Sequence, residues 1–136
     1  MESVFQFSDP ALLKLDFITN GNFKCDREED INLNLKIETQ INKEEEEAFV
    51  VLCVTIGEKT DNSPFYIYAE QGAGFRWEKD TYDEVGIDNL LTQNAPALLI
   101  SYLRPIIVNI TGSSPYGAYH IPFLNFRGNK QMRYEE

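Results

Sequence analysis

The side chains that could do chemistry in this sequence are few, and their spacing argues against catalysis. His120 follows Ser113 and Ser114 in one segment, so a nucleophile and a base could meet there. No G-x-S-x-G turn and no suitably placed acid accompany them. Gly72 and Gly74 lead into Phe-Arg-Trp, which does not continue as a phosphate-binding loop. We therefore expect a protein that is not an enzyme.

The acidic runs and the cysteines predict neither a metal site nor a cofactor. The acids at residues 44–47 and 26–30 lack the spacing of an EF-hand loop, and a charged hairpin tip is the more common meaning of such a run. Cys25 and Cys53 form no CxxC pair, and Cys53 lies in an apolar run where it behaves as a small hydrophobic residue. We expect free thiols, no metal and no cofactor.

The composition indicates one acidic folded domain. Of the 136 residues 43% are hydrophobic and 25% are charged, as in ordinary globular proteins. The net charge of −10 repels phosphate backbones and anionic membrane surfaces, so nucleic acid is not expected as a partner. Arg104 and Pro105 interrupt the longest apolar stretch, and the N-terminus has no export signal. We expect a cytoplasmic protein without membrane insertion.

Hydrophobic periodicity predicts a sheet of four strands, at residues 11–19, 31–42, 48–56 and 65–70. The second strand alternates apolar and polar side chains, as a strand with one buried face does. The third is apolar on both faces, which is typical of a central strand, and it forms a hairpin with the second. The glycine-rich residues 71–74 are expected to break the fourth strand, and residues 75–77 could resume the pairing.

The segment NAPALLISYLRPIIVNITG, residues 94–112, predicts an unusually apolar helix that ends at Gly112. Pro105 cannot donate a backbone hydrogen bond, so a bend is expected over residues 101–105. Together these elements predict an α+β fold, a four-stranded antiparallel sheet with helices packed on one face.

One sheet can cover only one side of such a helix. The other side would leave apolar surface in water, and a large exposed apolar patch marks an interaction site. We therefore expect an oligomer interface on this helix, formed by Leu98, Leu99, Leu103, Ile106, Ile107 and Ile110.

Four segments, taken in order, resemble the SecB family of protein-export chaperones. They are AFVVLCVTI at 48–56, FYIYAEQGAGF at 65–75, NAPALLISYLR at 94–104 and IPFLNF at 121–126. The resemblance implies one SecB-like domain over residues 1–136 and a homotetramer built as a dimer of dimers. It also implies an ATP-independent holdase that binds unfolded preproteins and passes them to SecA.

The resemblance also implies where unfolded chains would bind. By position, the family's groove and adjoining loop fall at Phe75, Tyr102, Ile121, Pro122 and Phe123. Trp77 is a further candidate, because aromatic side chains offer a large contact area with little entropy to lose.

Two departures from the family pattern favour alternatives. Tyr68 stands where well-known members carry an acid used in docking SecA, and residues 127–136 are too few for the family's second helix and tail. A chaperone dedicated to one partner, such as an antitoxin, is therefore one alternative. A structural or ligand-binding oligomer that ignores unfolded chains is another.

Overall fold

The computed structural model describes residues 5–24, 33–126 and 132–135, and within these ranges it contains six strands and one long helical stretch. The strands are β1 Phe5–Phe7, β2 Ala11–Thr19, β3 Leu35–Lys43, β4 Glu47–Gly57, β5 Phe65–Trp77 and β6 Met132–Glu135. The helical stretch consists of α1 Glu84–Asn89, a π turn Leu90–Asn94 and α2 Ala95–Gly112.

The described strands form a single sheet in the order β1-β5-β4-β3-β6, and β2 pairs with β5. Both β1 and β2 lie along the same edge of β5: β1 pairs with residues 75–77 and β2 with residues 65–72. All of these pairs are antiparallel except β6 with β3. The predicted α+β class is confirmed, and the sheet extends beyond the four predicted strands by β1 and β6.

The predicted hairpin is confirmed as β3 and β4, with Ile41 opposite Val50 and Ile37 opposite Val54. All four of these side chains are buried on one face of the sheet. β3 begins at Leu35, whereas the sequence predicts a start at residue 31. Residues 31 and 32 lie outside the described part of the chain. The alternating pattern thus identified the correct buried face.

The predicted break at residues 71–74 is wrong, because β5 runs without interruption from Phe65 to Trp77. Gly72 lies opposite Val51 on the face of the sheet away from the helices. A Cβ atom at this position would lie 2.8 Å from Leu13 Cδ1 and 3.2 Å from Phe49 Cε1. Glycine is therefore suited to this strand because it lets two neighbouring side chains cross over the backbone, and not because it ends the strand.

The core lies between the other face of the sheet and α2. Leu99, Leu103 and Ile107 are completely buried, and they share one side of the helix because their spacing of four residues returns to nearly the same direction. α2 contacts β4 and β5, where Ala69 and Ala73 leave room for the helix to approach. A two-layer structure of sheet and helix results.

The helical stretch has a capped start and one irregular turn. The Asp83 side chain accepts a hydrogen bond from the Gly86 amide at 2.7 Å and so caps α1. The π turn ends two residues before Pro96, whose missing N–H would interrupt a regular helix at this point. α2 continues through Pro105 and ends at Gly112 as predicted. The bend expected over residues 101–105 stays a prediction.

By length and composition, Glu84–Gly112 could cross a membrane, but the core helix of a water-soluble protein passes the same test. The burial of Leu99, Leu103 and Ile107 against the sheet is the behaviour of a core helix.

Two glycines with positive φ provide a test of this backbone. Gly57, at φ +74°, ends β4, and a Cβ added to it would lie 2.1 Å from the Phe65 carbonyl oxygen. Gly117, at φ +86°, has nothing within 4 Å of such an atom. We expect Gly57→Ala to lower the free energy of unfolding by about 2–4 kcal/mol and Gly117→Ala by only about 1 kcal/mol in urea titrations. Equal losses would show that Gly57 is not sterically confined.

Candidate functional site

The chain after α2, residues 113–126, folds back along the helix, and we call it the return segment. The Thr111 hydroxyl, which is fully buried, donates to the Ile107 carbonyl at 2.6 Å and accepts from the Tyr119 amide at 2.7 Å. The Arg104 guanidinium donates to the Pro122 carbonyl at 2.8 Å and to the Ile121 carbonyl at 3.4 Å. Arg104 and Thr111 are about two helical turns apart, so both face the return segment from one side of α2.

Two buried side chains anchor the end of the return segment and leave an aromatic ring in water between them. Ile121 and Phe126 are each 6% exposed, whereas Phe123 is 91% exposed and Pro122 is exposed as well. Earlier in the segment, the Tyr119 ring packs edge-on against Phe65 with centroids 6.3 Å apart. The exposure of Phe123 therefore occurs on backbone that is held on both sides.

Phe75 and Trp77 occupy a different place, on the core face at the end of β5. They are 2% and 4% exposed, because β1 pairs alongside them. The Phe5 ring stacks on both, with centroids 5.6 Å from Phe75 and 6.2 Å from Trp77, and it meets Tyr82 edge-on. The structure thus joins these two candidates to each other and separates them from water. Their predicted role in binding unfolded chains stays a prediction.

Tyr102 lies apart from the return segment. It is 44% exposed and two residues from Arg104, which places it about 200° around α2 from that side chain. Of the six predicted binding residues, the structure therefore brings Phe75 and Trp77 together at one end of β5, and Ile121, Pro122 and Phe123 together on the return segment. Tyr102 belongs to neither group.

The predicted interface residues divide between the two sides of α2. Leu99, Leu103 and Ile107 are fully buried against the sheet within this chain. The remaining three, Leu98, Ile106 and Ile110, are partly exposed. The contact of these residues with another subunit stays a prediction.

The face of the sheet away from α2 carries Tyr68 beside a carboxylate. The Tyr68 hydroxyl donates to Glu70 Oε2 at 2.5 Å, and Lys14 Nζ lies 5.5 Å from the centre of its ring. Burial first, and then the interactions with Glu70 and with the buried Cys53, raise the pKa of Tyr68 above its ordinary value. An acid is therefore present on this face, two residues beyond Tyr68 on the same strand.

The residues considered for catalysis are engaged in structure or exposed. The Ser113 and Ser114 hydroxyls donate to the carbonyls of Asn109 and Thr111 at the end of α2, and His120 is exposed. In the described part of the chain no three His, Cys, Asp or Glu side chains are grouped as metal ligands would be. Cys25 and the acids at 26–30 lie outside that part.

At the charged hairpin tip, the Glu44 side chain lies beside that of Glu47. Their hydrogen bond and the repulsion between the two acids raise the pKa of Glu44. This pair closes the turn between β3 and β4, where the Glu44 amide donates to the Glu47 carbonyl at 2.7 Å.

Sequence reasoning did not identify Arg104 and Thr111 as positioning groups for the return segment. Their signal was the spacing of seven residues, which places these two polar side chains on one side of a mainly apolar helix. Sequence reasoning also did not identify Phe5 as the residue that covers Phe75 and Trp77. Pairing between the start of the chain and residue 77 leaves no local sequence pattern.

A single sheet with one long apolar helix across it places the protein among SecB-like α+β proteins. Its fold matches the Mycobacterium tuberculosis Rv1957 SecB-like chaperone, solved in complex with a ChAD peptide from the Rv1956 HigA1 antitoxin, with a TM-score of 0.70. The two sequences are 16% identical, and the match covers 89% of this chain and 91% of that one.

The family follows from the sequence match. The family model for preprotein translocase subunit SecB matches residues 18–134, and the chain belongs to the SecB family. The uncharacterized protein MJ0357 of Methanocaldococcus jannaschii is 29% identical over 126 residues, which cover 90% of this chain and 80% of the relative.

Two buried threonines test the hydrogen bonding of the site. Thr111 donates and accepts within the protein, whereas Thr39 Oγ1, equally buried on β3, has no hydrogen-bond partner among the described residues. We expect Thr111→Val to destabilise the protein by about 1–3 kcal/mol and Thr39→Val to be neutral or stabilising by about 1 kcal/mol, measured by urea unfolding. A loss of similar size at both positions would contradict this assignment.

Tyr68 predicts a dependence of stability on alkaline pH. Its pKa is raised in the folded state from the ordinary value of 10.0, so the unfolded chain ionises first as the pH increases. Its contribution to stability is complete below about pH 10 and decreases as the pH rises further. We expect Tyr68→Phe to reduce the alkaline loss of stability in urea titrations at a series of pH values. An unchanged pH dependence in this variant would contradict the prediction.

Proposed function

We propose that this SecB-family protein is an ATP-independent chaperone that binds unfolded polypeptides and keeps preproteins competent for export. The observation that carries the proposal is the exposed Phe123 ring, at 91%, on a return segment that is otherwise anchored. An apolar ring in water, held on ordered backbone, can bury area against a client without demanding a particular sequence.

The charge of the chain supports the same function. A net charge of −10 keeps a protein with exposed aromatic rings in solution, and it attracts basic segments of unfolded chains. Family membership supports a cytoplasmic homotetramer, a dimer of dimers, in which the partly exposed Leu98, Ile106 and Ile110 of α2 contact another subunit. No catalytic step and no cofactor are part of this proposal.

The proposal includes delivery of clients to SecA. The similarity to Rv1957 favours a second possible function, as a chaperone for one dedicated partner. That SecB-like chaperone was solved with a peptide from an antitoxin, so this chain could equally serve one dedicated partner. The placement of Tyr68 bears on the choice, because its face of the sheet still carries acids, among them Glu70 on β5 and Asp16 opposite Tyr68 on β2. Binding of purified SecA to the chaperone with client bound separates the two functions.

The first experiment is size-exclusion chromatography with light scattering, using reduced and alkylated ribonuclease A as a permanently unfolded client. We expect an oligomer of four chains that elutes together with the client. A stable oligomer that ignores the unfolded chain would overturn the chaperone function and favour a structural or ligand-binding assembly.

Substitution of Phe123 tests the proposed contact directly. We expect Phe123→Ser to weaken client binding by about ten- to 100-fold in fluorescence anisotropy, since a buried phenylalanine contributes about 1.5–3 kcal/mol. Val85→Ser is the matched control, because Val85 is a large exposed apolar residue, at 67%, near the start of α1. Equal affinities for the Phe123→Ser and Val85→Ser variants would exclude Phe123 as a client contact.

A further inference from the structure

We infer that Arg104 is a positioning residue that holds the return segment so that Phe123 is presented to the client in one place. This inference rests on the proposed function and adds to it a residue that does not itself touch the client. Its basis is the pair of hydrogen bonds from one guanidinium to the successive carbonyls of Ile121 and Pro122.

The two carbonyls directly precede Phe123 in the chain. A guanidinium presents several N–H donors in a rigid plane, so two contacts from Arg104 restrain both the position and the rotation of this backbone. The contacts measure 2.8 Å to Pro122 and 3.4 Å to Ile121. A lysine would offer a single flexible point of charge and could not restrain two carbonyls in the same way.

The other restraints on the return segment act on residues on either side of Phe123 and leave its own peptide bond to Arg104. Thr111 holds the backbone at Tyr119, before the exposed stretch, and Phe126 is buried after it. Between these points Ile121 is buried, while Pro122 and Phe123 are exposed and pack little against the protein. Leu124 packs partly against the core on the far side of Phe123, and Arg104 supplies the restraint on the peptide bond that joins Pro122 to Phe123.

A fixed ring binds more tightly than a mobile one because less conformational freedom is lost in the complex. Arg104 also occupies carbonyl groups that an extended client could otherwise use as hydrogen-bond acceptors. The client contact at this position is then made mainly by the apolar ring of Phe123, and burial of apolar area is non-directional and so tolerates different client sequences.

The test compares Arg104→Met and Arg104→Lys with Lys79→Met. Lys79 forms an exposed ion pair with Glu45, so its replacement removes the same charge without touching the return segment. We expect Arg104→Met to weaken binding of reduced, alkylated ribonuclease A about three- to tenfold. Arg104→Lys should recover only part of the affinity, and Lys79→Met should bind as the natural chain does.

Two further measurements distinguish positioning from general destabilisation. Hydrogen exchange should accelerate at residues 121–126 in Arg104→Met and remain unchanged in β4. In a double-mutant cycle, Arg104→Met should add little to the loss caused by Phe123→Ser, because Arg104 acts through that ring.

The outcomes separate this inference from the proposed function. If the natural chain binds client and Arg104→Met binds it equally well, the inference is overturned and the chaperone function stands. Fully additive losses in the cycle, or unchanged exchange at residues 121–126, would also overturn it. If the natural chain binds no client, the proposed chaperone function is overturned. Faster hydrogen exchange in Arg104→Met would then show only that Arg104 restrains the return segment.

Discussion

The packing of α2 on the sheet is the interaction on which the rest of the molecule depends. Leu99, Leu103 and Ile107 are fully removed from water, and burial of each such side chain contributes about 1.5–3 kcal/mol. They pack against β4 and β5, and β5 carries two small residues, Ala69 and Ala73, on the facing surface. This contact sets the direction of α2 and therefore the position of every group that the helix carries on its other sides.

The orientation of α2 on the sheet determines which of its side chains face the return segment on one flank of the helix and which face water on the other. On one flank, Arg104 and Thr111 are turned toward the return segment and satisfy backbone groups of residues that have no regular secondary structure. On the other, Tyr102 and the partly exposed Leu98 and Ile106 remain in contact with water. One helix thus completes the core, anchors a loop and leaves a second apolar surface, which explains why so few of its residues are polar.

Local patterns predicted the features that depend on local physics. Alternation identified the buried face of β3, β-branched residues identified β4, and Gly112 marked the end of α2. Features that depend on distant pairing were not accessible in this way: β1 has only three residues, and its pairing at Phe75 and Trp77 decides whether those rings meet water. For the same reason the sequence alone favours a break at Gly72, since Leu13 and Phe49 approach it from two other strands.

The candidate site illustrates the difference between the type of a residue and its surroundings. The resemblance selected Ile121, Pro122 and Phe123 together, yet the fold buries the first and exposes the third, because the anchors on either side of Phe123 point inward. A chaperone needs apolar surface that does not collapse into its own core. Arg104 meets that need, since hydrogen bonds to two backbone carbonyls hold the segment against the helix without burying the Phe123 ring. The one charged side chain of α2 thus holds an apolar side chain in water.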